Sequence, residues 1–166
     1  ARLGIVFVPQ DVLVVPELSI GRNILLGREG ALARRGRLSR PERAAVSRAL
    51  ALVGADFDPE IRAARLGVPH LRLAQLARAL IQPGNILVLD EPTAVLSEPD
   101  ADHLLDRLDR LRKAGKAILY VTHRLSEVMR LADRVTILRD GRRVGVFARG
   151  DIDRAEILRL MTKETR

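Results

Sequence analysis

The stretch "ILVLDEPTA", Ile86 to Ala94, places the tightest limit on how this chain folds. Four aliphatic residues in a row, with no polar alternation, fit a strand buried on both faces of a parallel sheet. A second run, "KAILYVTH", has the same character. Between the two, "EPDADHLLDRLDRLRKAG" brings Leu104, Leu105, Leu108 and Leu111 to one helical face and puts Gly115 at the C-cap. Strand, helix and strand in that order predict an α/β fold with a parallel sheet.

The flanking segments fill in the organisation. "LGIVFVPQ" reads as a short buried strand ending at Gln10. Ser19 is placed to cap a short helix to Leu26, and residues 27–38, rich in Gly and Arg, read as a loop or frayed helix. "SRPE", Ser39 to Glu42, is a capping box with Pro41 in the first turn of a helix running to about Val53. "HLRLAQLARALI" spaces Leu73, Leu76, Ala77 and Leu80 as an amphipathic helix that Pro83-Gly84 ends. After "KAILYVTH" come a short helix, "RLSEVMRLA", and two strands joined at Asp140-Gly141, a hairpin signal. A last helix is capped by Asp153 with Glu156.

Composition excludes several classes. With 166 residues, 47% hydrophobic and 30% charged, the chain can build one domain with a real core. No apolar run reaches the ~18 residues of a membrane span. The start, "ARLGIVFVPQ", is not a signal peptide; it lacks Met and begins almost inside a strand, which suggests a chain cut from something longer. There is no Cys, hence no disulfide and no thiolate metal site. The net charge of +8 can point to nucleic acid, but aromatics are 2% of the chain and no basic cluster carries the interleaved rings that single-strand binding favours. Arginines scattered over solvated helix faces are the simpler reading, and no nucleic-acid partner is expected.

Ligands of open parallel sheets sit at the carboxyl ends of the strands, where Asp90 and Glu91 fall. Adjacent residues there point differently. Asp90 suits Mg²⁺, which takes oxygen ligands and keeps several waters. Glu91 suits a general base that orients an attacking water. His123 ends the second strand, where an imidazole can bond a phosphate oxygen; His103 reads as a surface residue.

Together these residues resemble an ATP-binding cassette (ABC) ATPase along essentially the whole chain. "ILVLDEPTA" is similar to Walker B with the catalytic acid, "VFVPQ" to the Q-loop, and "YVTHRLSEVMRLADRVTILRDG" to the switch-histidine segment and the strands after it. "PELSIGRNILLGRE" is similar to the first cassette of the tandem ATPases of ribose- and xylose-type sugar importers. The D-loop, Ala94, Val95, Leu96 and Ser97, also resembles that group, with Ser97 where many cassettes carry Asp. The resemblance implies a partial P-loop NTPase-like fold, with a helical subdomain over about 19–82 and catalytic core in 1–10 and 83–166. It implies ATP and Mg²⁺ as cofactors: Asp90 holding the metal, Gln10 touching metal and attacking water, Glu91 as base, His123 at the γ-phosphate. It further implies a second cassette, transmembrane permease subunits and, indirectly, a solute-binding protein as partners, and a peripheral place on the cytoplasmic side of the membrane.

Two features depart from the family. No G-x-x-x-x-G-K-[ST] occurs; "KAGKAI" lacks the first Gly and has Ala117 in place of the hydroxyl. That loop cradles phosphates with backbone N–H groups and a Lys; in the family it precedes the Q-loop, so it would precede Ala1. The signature segment falls on Leu66, Gly67, Val68, Pro69 and His70. Gly67 stands where a Ser is expected, and Pro69 stands at a Gly whose N–H should face the partner's γ-phosphate. Proline has no N–H, yet it suits a helix's first turn. The helix start should survive while the donor is lost. These departures predict that the chain alone is inactive. They keep open a catalytically inactive cassette serving as an interaction module, and, further off, a soluble nucleic-acid-associated cassette.

Overall fold

The computed structural model describes residues 4–27 and 37–162. They fall into two compact units that divide between Val121 and Thr122. Most of the stretch read as loop or frayed helix (27–38) lies outside the described residues.

The first unit holds three strands, β1 (Ile5–Val8), β2 (Ile86–Asp90) and β3 (Ala117–Val121), in a parallel sheet of order β1-β2-β3. Its register aligns Ile5 with Ile86 and Ile86 with Ala117, then Phe7 with Val88 and Val88 with Leu119. The parallel sheet expected from the apolar runs is present, but the strands are not buried on both faces. Val8 is 1% exposed and Leu89 0%, whereas Phe7 and Leu119 are each 59% exposed. The side-chain period of two sends Val6, Val8, Leu87 and Leu89 inward and leaves Ile5, Phe7, Ile86, Leu119 and Val121 on an open face. An aliphatic run looks the same whether one face is covered or two, so it does not say which face these 166 residues cover.

Among the described residues this unit also has four α-helices, α1 (Ile20–Leu25), α2 (Arg40–Ala51), α3 (Val68–Leu80) and α4 (Glu98–Lys113), and a 3₁₀ turn at Ala63–Arg65. Local signals set their starts. Ser19 accepts from the Arg22 backbone N–H at 3.3 Å. In α2 the capping box closes both ways: Ser39 Oγ accepts from the Glu42 N–H at 3.4 Å, and Glu42 Oε2 accepts from the Ser39 N–H at 2.7 Å. Helices α1, α2 and α3 pack on one another, and Ile20, Ile24, Val46, Leu50 and Leu76 on them are nearly inaccessible. α3 touches β1, and α4, with Leu104 and Leu108 fully buried, touches β3.

The α2 capping box carries a pH dependence. Hydrogen bonds from the Ser39 side chain and backbone hold the Glu42 carboxyl below its ordinary value of 4.5, with Arg22 adding a favourable charge. A depressed carboxylate contributes stability that is present above its unfolded value and lost as pH falls through its folded value. The stability gap between the protein and its Glu42→Gln variant is therefore expected to be present at neutral pH and to close below about pH 4.5. Urea melts of both proteins between pH 3 and 7 read this out, on the order of a few half-unit steps apart; a gap independent of pH contradicts it.

The second unit consists of α5 (Leu125–Leu131), the antiparallel pair β4 (Arg134–Arg139) and β5 (Arg142–Ala148), a 3₁₀ turn at Arg149–Asp151, and α6 (Arg154–Thr162). Asp140 and Gly141 both have positive φ, 50° and 72°, as a two-residue type I′ hairpin requires. Val135, Ile137, Ile152 and Ile157 form its core. Asp153 Oδ1 accepts from the Glu156 N–H at 2.8 Å, the cap expected for α6.

Candidate functional site

Parallel pairing of Val8 with Leu89 brings the ends of β1 and β2 side by side. Gln10 leaves the first and Asp90-Glu91 leave the second, so three of the expected site residues collect at the carboxyl end of one sheet. Gln10 is exposed, and both acids are half-buried. Glu91 has φ of +42°, a left-handed backbone rare for a residue with a side chain. Its N–H donates to the Val121 carbonyl at 2.9 Å, and its own carbonyl accepts from the Ala94 N–H at 3.2 Å. These bonds turn the chain sharply where β2 stops.

One side chain that the sequence reading did not single out ties these ends together. Arg72, in the second turn of α3, is 1% exposed. Its Nε donates to the Pro92 carbonyl at 3.1 Å, and Nη2 donates to the Asp90 and Glu91 carbonyls at 3.0 Å each. Nη1 donates to the Pro9 carbonyl at 2.6 Å, the Gln10 carbonyl at 3.2 Å and Gln75 Oε1 at 2.7 Å. Gln75 Nε2 donates onward to the Asp11 carbonyl at 3.0 Å. Burial lowers the pKa of the guanidinium, and the charges of Asp90 and Tyr120 pull it back up. The signal was there: Arg72 stands four residues before Leu76 and so lies on the inward stripe of its helix.

The signature-like segment runs from the half-buried Leu66 through exposed Gly67, Val68, Pro69 and His70. Gly67 is the N-cap of α3 and offers no side-chain cap; Pro69 lies in the first turn. The helix start therefore survives with Pro69 in place, and Pro69 has no N–H to present. His70 packs its ring edge-on against Phe57 at 5.7 Å between centroids. Gly67 has an ordinary backbone, φ −72°, and an added Cβ would meet only Pro69 Cδ, at 3.7 Å. Gly67→Ser is expected to stabilise the protein by roughly 0.5–1 kcal/mol, by supplying a cap and restricting the unfolded chain. A rise in the urea midpoint checks this; a fall contradicts it.

After Glu91, Pro92 and Thr93 are buried, Ala94 and Val95 are exposed, and Leu96 is buried. Ser97, expected in the D-loop, also caps α4: its Oγ accepts from the Asp100 N–H at 3.3 Å.

His123 belongs to the second unit and is exposed there. Its neighbours on both sides are fixed. Thr122 Oγ1 donates to Glu127 Oε2 at 2.8 Å and accepts from the Arg124 N–H at 3.0 Å, with Glu127 buried beneath. Glu127 is a second contributor the sequence reading passed over.

The donor set can be matched to a metal. Among the described residues no three His, Cys, Asp or Glu side chains gather as a metal site. One carboxylate, Asp90, with Gln10 following the neighbouring strand, fits an ion that arrives with phosphate oxygens and water, which is the habit of Mg²⁺.

No family model matches the chain. The ribose import ATP-binding protein RbsA 1 of Rhizobium meliloti (strain 1021) is 36% identical over 161 residues, 97% of this chain and 32% of that protein. RbsA 3 of the same organism is 40% identical over 96% of this chain and 31% of its own length. The xylose import ATP-binding protein XylG of Moorella thermoacetica (strain ATCC 39073 / JCM 9320) is 36% identical over 96% of this chain and 32% of its own length. The chain thus spans about a third of the length of the curated relatives it matches. Among solved structures, the ATP-binding cassette MJ0796, in a dimeric post-hydrolysis state bound to ADP and Pi, superposes with a TM-score of 0.76 at 23% identity, over 89% of this chain and 63% of that one. The chain is thus similar along nearly its whole length to sugar-import ATP-binding proteins, and its fold is part of the P-loop NTPase-like fold of an ATP-binding cassette.

Proposed function

We propose that this chain is the portion of an ATP-hydrolysing cassette that runs from the Q-loop through Walker B to the switch histidine, in a protein that powers import of a sugar-like solute. The observation that carries the reading is the convergence of Gln10, Asp90 and Glu91 at the carboxyl ends of β1 and β2. The relatives, ribose and xylose import ATP-binding proteins, suggest the solute class.

In this reading Asp90 holds Mg²⁺ with Gln10, and the ion, when bound with ATP, neutralises charge on the phosphate oxygens. Glu91 orients the attacking water and takes its proton. His123 donates to the γ-phosphate from a loop held by Thr122 and Glu127. The exposed signature segment faces the ATP of a second cassette. Permease subunits and, through them, a solute-binding protein complete the assembly at the cytoplasmic face of a membrane. No described helix is long and apolar enough to cross one.

One observation favours a second reading, a cassette that docks without hydrolysing: Pro69, in the first turn of the signature helix, has no N–H to donate. A lost donor of this kind lowers rates by roughly 10²–10³. The purified 166-residue chain is expected to hydrolyse no ATP. Turnover from it that disappears in Glu91→Gln contradicts that expectation.

A further inference from the structure

Gln10 and the two acids sit on different strands, yet one guanidinium holds both strand ends. Arg72 has five N–H donors and six acceptors within reach, so every donor is engaged and at least one is shared. Five of the acceptors are backbone carbonyls, and they flank the expected reacting groups: Pro9 and Gln10 on one side, Asp90, Glu91 and Pro92 on the other. The bond to the Glu91 carbonyl falls on the residue with φ of +42°. A side chain at such a backbone is strained, and it persists only where its surroundings over-determine it. Here the surroundings are the Val121 carbonyl, the Ala94 N–H and Arg72.

From this geometry we infer that Arg72 is a positioning residue for hydrolysis: it sets the left-handed backbone of Glu91 and fixes the start of the Q-loop against it. The inference rests on the nucleotide-site reading of Asp90 and Glu91. Arg72 also sits one turn inside the helix that begins with the signature-like segment Leu66 to His70. A shift of α3 along its axis therefore moves the carbonyls of Gln10 and Glu91 together. The signature end of the helix and the chain's own catalytic acid are mechanically one body. Gln75 extends the same link to Asp11.

Lysine separates positioning from bulk and charge. It keeps the cation and the apolar stem but donates from a single nitrogen, so it cannot span both strand ends. In the full-length protein carrying Arg72→Lys, hydrogen exchange is expected to speed up about tenfold or more in peptides covering 9–12 and 90–94, with α2 and β4 unchanged. If the protein hydrolyses ATP, kcat should fall on the order of 10²-fold while KM stays within about twofold, the signature of a misplaced group rather than lost binding. Gln75→Met should raise exchange at 10–12 and leave 90–94 as it was. Exchange that is unchanged in Arg72→Lys, or raised evenly across the unit, overturns the inference, as does an unaltered kcat in an active protein. Should Arg72→Lys not fold, an unaltered 10–12 peptide in Gln75→Met overturns the link to the Q-loop, and a selective rise there supports it. A wild-type protein without hydrolysis counts against the proposed function alone, because exchange still decides what Arg72 holds.

Discussion

Arg72→Met is expected to destabilise the first unit by roughly 3–5 kcal/mol. Methionine fills most of the volume of the stem but donates nothing. The carbonyls of Pro9, Asp90, Glu91 and Pro92 then lose a charge-assisted partner in a site where Arg72 itself is 1% exposed. Each buried polar group left unmade costs about 1–3 kcal/mol, so two or three of these carbonyls left without a partner account for roughly 3–5 kcal/mol. The lower bound applies because Gln10 is exposed and its carbonyl can turn to water. Against a total stability of about 5–15 kcal/mol, this is enough to depopulate the native state on warming. A urea titration of the two proteins measures it. A difference below about 1 kcal/mol would mean that water replaces the guanidinium freely and that the cluster is not a clamp.

Glu91→Gln carries the largest expected effect on activity. The amide keeps the size of the side chain and the backbone bonds to Val121 and Ala94, since those involve main-chain atoms only. It cannot accept the proton of an attacking water. Loss of a positioned general base lowers turnover about 10²–10⁴-fold, or roughly 2.7–5.4 kcal/mol in the barrier. Asp90 is untouched, so binding of MgATP by the full-length protein should persist. Steady-state turnover and nucleotide binding measured on the same preparation test both halves. A joint loss of the two would place Glu91 in binding rather than in chemistry.

How far the sequence could be read depended on whether a feature was local. Ser19, the Ser39–Glu42 box, Asp153 and Asp140-Gly141 act over four residues or fewer, and each does in the structure what its residue type predicts. The two runs that end at Asp90 and near His123 are strands, and the parallel order follows from the helix between them. The open face of the sheet was not legible, because Ile5, Phe7 and Leu119 are apolar whether or not anything covers them. Arg72 escaped notice for a different reason. Its partners Pro9 and Gln10 lie 63 and 62 positions away, and charge on a helix is ordinarily read as surface. The left-handed turn at Glu91 has no local signal either, since glutamate is among the residues least suited to it. It exists because the carbonyl of Val121 and the guanidinium of Arg72 hold it from outside its own segment. At the candidate site the residue types were visible in advance, while the long-range bonds that aim them were not.

Hydrolysis of ATP by the full-length protein, with and without Mg²⁺, tests the central claim most directly. The account predicts turnover that requires Mg²⁺ and is lost in Asp90→Asn, which removes the carboxylate proposed to hold the metal at the end of β2. A folded full-length protein that releases no phosphate from MgATP would contradict it, and would leave Asp90 and Glu91 as the strand end of a docking module.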